Sequence, residues 1–151
     1  MEISDFLTQD RILLDVRSRD KAQLIGDIAR YFGRLVPGLQ PDSVEAALRA
    51  REQLGSTGLG SGFALPHARI EGLNAYLGLF VRIAKPVDFD AIDGKPVHLV
   101  FVLLIPGETA TPHVAALAAI SRRFRDSTLA VKLTKEKTQA GAYGLLTERG
   151  V

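Results

Sequence analysis

Val97-His98-Leu99-Val100-Phe101-Val102-Leu103-Leu104-Ile105 is a run of β-branched, aromatic and leucine side chains broken only by a histidine near its start. A strand with one wet face alternates apolar and polar residues. This run does not alternate, so it reads as a strand buried on both faces and therefore central in its sheet. It is far shorter than the roughly 20 apolar residues that a membrane helix requires. Asp93-Gly94 marks a turn ahead of it and Pro106-Gly107 closes it.

Working outward, Ala75 to Ala84 forms a second β-like run, ended by Lys85-Pro86, and Ile12 to Val16 forms a short strand near the start of the chain. Between them the apolar spacing becomes helical. Ser18 offers a cap to a helix running towards Val36, with Leu24, Ile25, Ile28, Phe32 and Leu35 on one face and Pro37-Gly38 as its stop. Asp42, after Pro41, is placed to cap a second helix, with Glu45 as capping-box partner, Arg51 and Glu52 in the last turns and Gly55 as terminator. Phe63 to Leu65 is expected to be extended, because Pro66 disfavours a helical residue before it. After the central strand, Thr111 and Pro112 suit the start of a helix carrying His113 in its first turn and Val114, Leu117, Ala118, Ser121 and Phe124 on one face. Two short helices are expected from Ser127 and Thr138. Helices interleaved with strands predict an α/β fold, a mixed β-sheet flanked by helices in an α/β sandwich.

The 151 residues, 46% of them hydrophobic, suit one domain spanning 1–151 with a core of ordinary size. Nineteen Lys and Arg stand against 17 Asp and Glu with no basic block, a balance that argues against a nucleic-acid partner. The acidic start Met-Glu-Ile-Ser-Asp lacks the pattern of a signal peptide, and there is no cysteine. A cytoplasmic protein without membrane insertion is the expectation.

Chemistry concentrates in Gly55-Ser-Thr-Gly-Leu-Gly-Ser-Gly-Phe-Ala-Leu-Pro-His67. A glycine-rich loop lets backbone approach an anion closely, and Pro66 restricts the chain that presents His67. Phosphoryl transfer to histidine requires a neutral ring nitrogen aimed at phosphorus, plus donors for the equatorial oxygens. His67 is the candidate nucleophile. Ser56 and Thr57 offer hydroxyls, Arg51 a charged fork, and His113 a ring N–H at a helix start. Read from the residues alone, His67 could equally be a structural histidine at a strand end, Ser56 and Thr57 could simply shape a turn, and Arg51 and Glu52 could be a solvated helix end. Other glycine-loop chemistries fail: Ser61 stands where a P-loop needs lysine, and Phe63 where a dinucleotide fingerprint needs its third glycine. Three histidines without cysteine or a paired-histidine helix motif do not suggest a zinc hydrolase. The chemistry calls for neither cofactor nor metal.

The run Arg51-Glu52 to Pro66-His67, together with Asp93 to Pro106 and His113 to Ala118, resembles the IIA domains of the phosphoenolpyruvate-dependent phosphotransferase system, in their fructose/mannitol/nitrogen branch. The resemblance covers most of the chain. It implies a mixed sheet flanked by helices, phosphorylation of His67 by a small HPr-like phosphocarrier, a phosphate hydrogen bond from His113, and site roles for Arg51, Ser56 and Thr57. The start Ile3-Ser4-Asp5-Phe6-Leu7, and Ser61 where mannitol-type proteins carry an acid, resemble the nitrogen-type regulatory members. That implies regulation of targets such as a sensor kinase or a potassium transporter by phosphorylation state. The chain departs from the family pattern at His98, where an acid is more usual, and at Pro112 beside His113. A sugar-specific IIA passing phosphate to a IIB permease domain, and a binding module that has lost the relay, are the alternatives.

Overall fold

The computed structural model describes residues 1–107 and 113–148. The run that reads as central is β6, Val97–Pro106, buried along almost its whole length. On one side it pairs antiparallel with β5, Leu77–Val87, which pairs in parallel with β1, Ile12–Val16. On the other side it pairs in parallel first with β3, Phe63–Ala64, and then with β4, His67–Ile70. The register stays constant from Phe63↔Leu99 to Ile70↔Pro106, so β3 and β4 behave as one strand interrupted at Leu65-Pro66. The short β2, Gly58–Gly60, folds back antiparallel on β3 and completes a mixed six-stranded sheet.

Helices cover both faces, as the α/β sandwich reading expects. On one face, α1 (Lys21–Leu35) and α2 (Pro41–Gln53) bury Leu24, Ile28, Phe32, Val44 and Leu48 against Val81, Val100, Val102 and Leu104. On the other, α3 (Val114–Phe124), α4 (Ser127–Lys135) and α5 (Gln139–Thr147) join the amino-terminal Ile3, Phe6 and Leu7 over Phe80, Leu99, Phe101 and Leu103. Phe101 sits edge-on to Phe6, with ring centroids 6.1 Å apart.

Several boundaries differ from the sequence reading. Asp20, not Ser18, caps α1, its side chain accepting from the Gln23 N–H at 2.8 Å, while Ser18 donates to Asp27 at 2.7 Å. Pro41 itself opens α2, which places Asp42 inside the helix, and Glu45 pairs with Arg49 at 3.0 Å instead of closing a capping box. Strand β5 continues through Lys85-Pro86 to Val87. Its pairing with β6 is irregular between Arg82 and Val87, and residues 84–86 face solvent, so a proline there removes no ladder bond. Helix α3 begins after His113 and buries Ala116, Ala119 and Ile120, leaving Val114 exposed; the expected roles of Thr111 and Pro112 lie outside the described residues. The remaining two helices start where expected, with Asp126 and Thr138 as caps.

No described helix is long and apolar enough to cross a membrane. Phe101→Ala is expected to lower the unfolding free energy by about 3–5 kcal/mol, because the ring is fully buried between α3 and the amino terminus. Urea denaturation measures this, and a loss below about 1 kcal/mol would contradict the packing.

Candidate functional site

Strand alternation decides which way the site faces. Ala68 and Ile70 point into the core beneath α1 and α2, so His67 and Arg69 project from the opposite side of β4, towards α3. His113 stands at the N-cap of α3, and Arg69 Nη2 donates to its Nδ1 at 3.3 Å. Arg69 also donates through Nη1 to the Pro106 carbonyl at 3.3 Å, which ties the pair to the end of β6.

The two imidazoles are held in complementary tautomers. His67 Nδ1 lies 2.8 Å from the Leu65 carbonyl, which can only accept, so Nδ1 carries the proton and the neutral ring keeps its lone pair on Nε2. A guanidinium can only donate, so His113 Nδ1 is the acceptor and its proton sits on Nε2. One ring therefore offers a nucleophilic nitrogen and the other an N–H donor. The His67 pKa lies below the ordinary 6.5, first because burial disfavours the charged ring and further because of the Arg51 charge and the proximity of the His113 ring. The Leu65 hydrogen bond and Glu52 oppose that shift.

Arg51, in the last turn of α2, donates through Nη1 to the Gly55 carbonyl at 2.9 Å and has no carboxylate partner among the described residues. The loop hydroxyls are placed differently from the expectation that they donate to phosphate. Ser56 Oγ donates to the Phe89 carbonyl at 2.7 Å and accepts from the Gly58 N–H at 3.0 Å. The buried Thr57 gives its hydroxyl proton to Glu52, whose carboxylate also accepts the Thr57 N–H at 3.2 Å. Each hydroxyl has one proton, so in this arrangement neither reaches outward. Some of the loop N–H groups are engaged too: Gly55 bonds the Glu52 carbonyl and Ser61 bonds Asp93 at 2.8 Å. The loop is a braced support for the strand carrying His67.

Arg69 is marked in the sequence by its spacing alone. It lies two residues beyond His67, and on a strand that spacing shares a face. His98 faces Thr134 of α4, Nε2 to Oγ1 3.2 Å, and burial lowers its pKa. It belongs to a different part of the sheet from His67. Among the described residues no group of three or more His, Asp or Glu side chains is arranged to hold a metal.

Comparison with known proteins agrees with this fold. Residues 5–149 match the family model described as "Phosphoenolpyruvate-dependent sugar phosphotransferase system, EIIA 2". A nitrogen regulatory protein of Bradyrhizobium diazoefficiens is 36% identical over 97% of this chain and 95% of its own length. The crystal structure of nitrogen regulatory protein IIA-Ntr from Neisseria meningitidis superposes with a TM-score of 0.89 at 37% identity, covering 96% of this chain and 99% of that one. The IIA mannitol structure from Escherichia coli shares the fold, with a TM-score of 0.77 at 18% identity, over 93% of this chain and 98% of that one.

The depressed His67 pKa has a measurable sign. The folded chain binds this proton less tightly than the unfolded chain, so the contribution to stability is complete above pH 6.5 and is lost as pH falls through the folded-state midpoint. Histidine NMR titration should place the His67 midpoint below 6.5; a midpoint at or above that value would contradict the half-buried site beside Arg51.

Proposed function

The chain belongs to the phosphoenolpyruvate-dependent sugar phosphotransferase system EIIA 2 family, and we propose that it is a histidine phosphocarrier of the nitrogen regulatory kind, taking a phosphoryl group on His67 from an HPr-like carrier. The observation that carries this reading is the tautomer pairing: a lone pair on His67 Nε2 and an N–H on His113 Nε2, on rings near enough to interact electrostatically.

In the proposed step the Nε2 lone pair of His67 attacks phosphorus while the P–N bond to the carrier's imidazole breaks and its electron pair returns to that ring. One P–N bond replaces another, so the exchange needs no cofactor. Nδ1–H stays on His67, and the Leu65 carbonyl stabilises the positive charge that the ring acquires. Charge on the equatorial oxygens is met by the His113 Nε2–H and by the Arg51 and Arg69 guanidiniums. Ser56 and Thr57 contribute by holding the loop. Leu54 and Val114, 85% and 65% exposed, flank the loop and His113 and suit contact with a protein donor better than with a small molecule.

A phosphate adds up to about two negative charges to this face and would change the binding of a target such as a sensor kinase or potassium transporter by direct repulsion or recruitment. We read the chain as a single cytoplasmic domain over 1–151, its length and 46% hydrophobic content suiting one core.

Incubation with phosphoenolpyruvate, enzyme I and the carrier should give acid-labile, alkali-stable label. Label persisting in His67→Ala would overturn the assignment, and a folded protein that takes no label beside an active donor would be a binding module only. His113→Ala is expected to slow uptake on the order of a hundredfold, as for the loss of one oxyanion donor, and an unchanged rate would remove it from the site. Onward transfer to a permease IIB domain would place the chain in the sugar-specific branch.

A further inference from the structure

Behind the loop lies a chain of contacts that starts far from His67 in sequence. Lys21, the first residue of α1, places Nζ 2.8 Å from Glu52 Oε2, and the two side chains are only 19% and 7% exposed. Nζ also donates to the Phe89 carbonyl at 3.3 Å and lies 4.5 Å from the centroid of the Phe89 ring; the exposed Asp90 carboxylate is 3.7 Å away. Glu52 accepts the hydroxyl and N–H of Thr57. The Thr57 carbonyl accepts the Leu65 N–H at 2.9 Å, and the Leu65 carbonyl accepts His67 Nδ1–H at 2.8 Å. An ion pair followed by hydrogen bonds runs from a largely buried ammonium to the ring.

A buried carboxylate without a cation is drawn out towards water, and that movement would release Thr57. Thr57 fixes the height of Leu65 against β2, and Leu65 decides which nitrogen of His67 bears the proton. Ser56 bonds the same Phe89 carbonyl as Lys21, so a second side of the loop is anchored at the same place.

We propose that Lys21 and Glu52 are positioning residues for His67, a buried ion pair that holds Thr57 and Leu65 and thereby keeps the lone pair on Nε2. Its kinetic consequence rests on His67 being the phosphoryl acceptor; its structural consequence does not. Removing outer partners of a reactive imidazole lowers function about ten- to a hundredfold without touching the reactants.

The test reads the His67 tautomer from ¹⁵N shifts of the full chain without phosphoryl donor. Wild type should show the Nδ1–H form in clear majority. Lys21→Met, which keeps the aliphatic stem, should give a mixture of tautomers and a phosphoryl uptake slowed at least about tenfold at saturating carrier, and Lys21→Arg should restore both. Two double variants free of buried charge guard against a fold defect in the single one. Lys21→Met with Glu52→Gln keeps an acceptor for Thr57 and should stay near the wild-type tautomer, whereas Lys21→Met with Glu52→Ala removes the acceptor and should lose it. A wild-type tautomer ratio in Lys21→Met, or in the Glu52→Ala double variant when Lys21→Met does not fold, would overturn the inference. If wild type takes no label yet the tautomers shift as stated, the acceptor reading fails and the positioning role stands.

Discussion

The parallel pairing of β6 with residues 63–70 is the constraint to which the site is referenced. Its register stays constant across the Leu65-Pro66 break, because the Leu103 N–H still finds the Pro66 carbonyl at 3.0 Å. Proline brings no N–H, and the Leu65 N–H turns away to Thr57. The Leu65 carbonyl is taken by the ring that follows it. A small interruption in an otherwise regular strand thus supplies the one acceptor that selects the His67 tautomer. Because β6 is buried on both faces and held by neighbours on both sides, the interruption cannot relax by sliding.

Rigidity and reactivity divide between the two faces of this strand. Ala64, Ala68 and Ile70 pack under α1 and α2, while Phe63, Leu65, His67 and Arg69 face the other way. The loop hydroxyls belong to the rigid side of that division. Ser56 and Thr57 are committed to Phe89 and Glu52, so in the proposed function the charged and ring groups, Arg51, Arg69 and His113, are the ones to meet a phosphoryl group. Such donors need no reorganisation when charge develops, which is the condition under which electrostatic stabilisation is most effective.

Much of this is legible in the chain. Ile12–Val16 and Val97–Ile105 read as strands because β-branched and aromatic residues cluster there between clear turn signals, and α1 shows its buried face in Leu24, Ile25, Ile28 and Phe32. His67 stands out through its loop, and the nitrogen-type resemblance of the opening residues agrees with the relatives found. What the sequence hides is set by competition or by distant partners. Ser18 and Asp20 can both cap a helix, and the choice depends on where Asp27 sits. Pro86 argues against a strand unless the irregular pairing beside it is known. On α3 the expected Leu117 and Phe124 do pack against the core, but its most buried residues are Ala116, Ala119 and Ile120, and Val114 at the start of the apolar pattern faces solvent. Thr57 looks like a phosphate ligand until Glu52, on another element, takes its proton.

The central claim is that one main-chain carbonyl leaves Nε2 of His67 as the reactive nitrogen. The most direct measurement is ¹H–¹⁵N correlation NMR on the phosphorylated protein, with phosphorus coupling identifying the modified nitrogen. Phosphorus bonded to Nε2 of His67, with Nδ1–H still present, is the predicted result. Phosphorus on Nδ1, or on His113 or His98, would contradict the account.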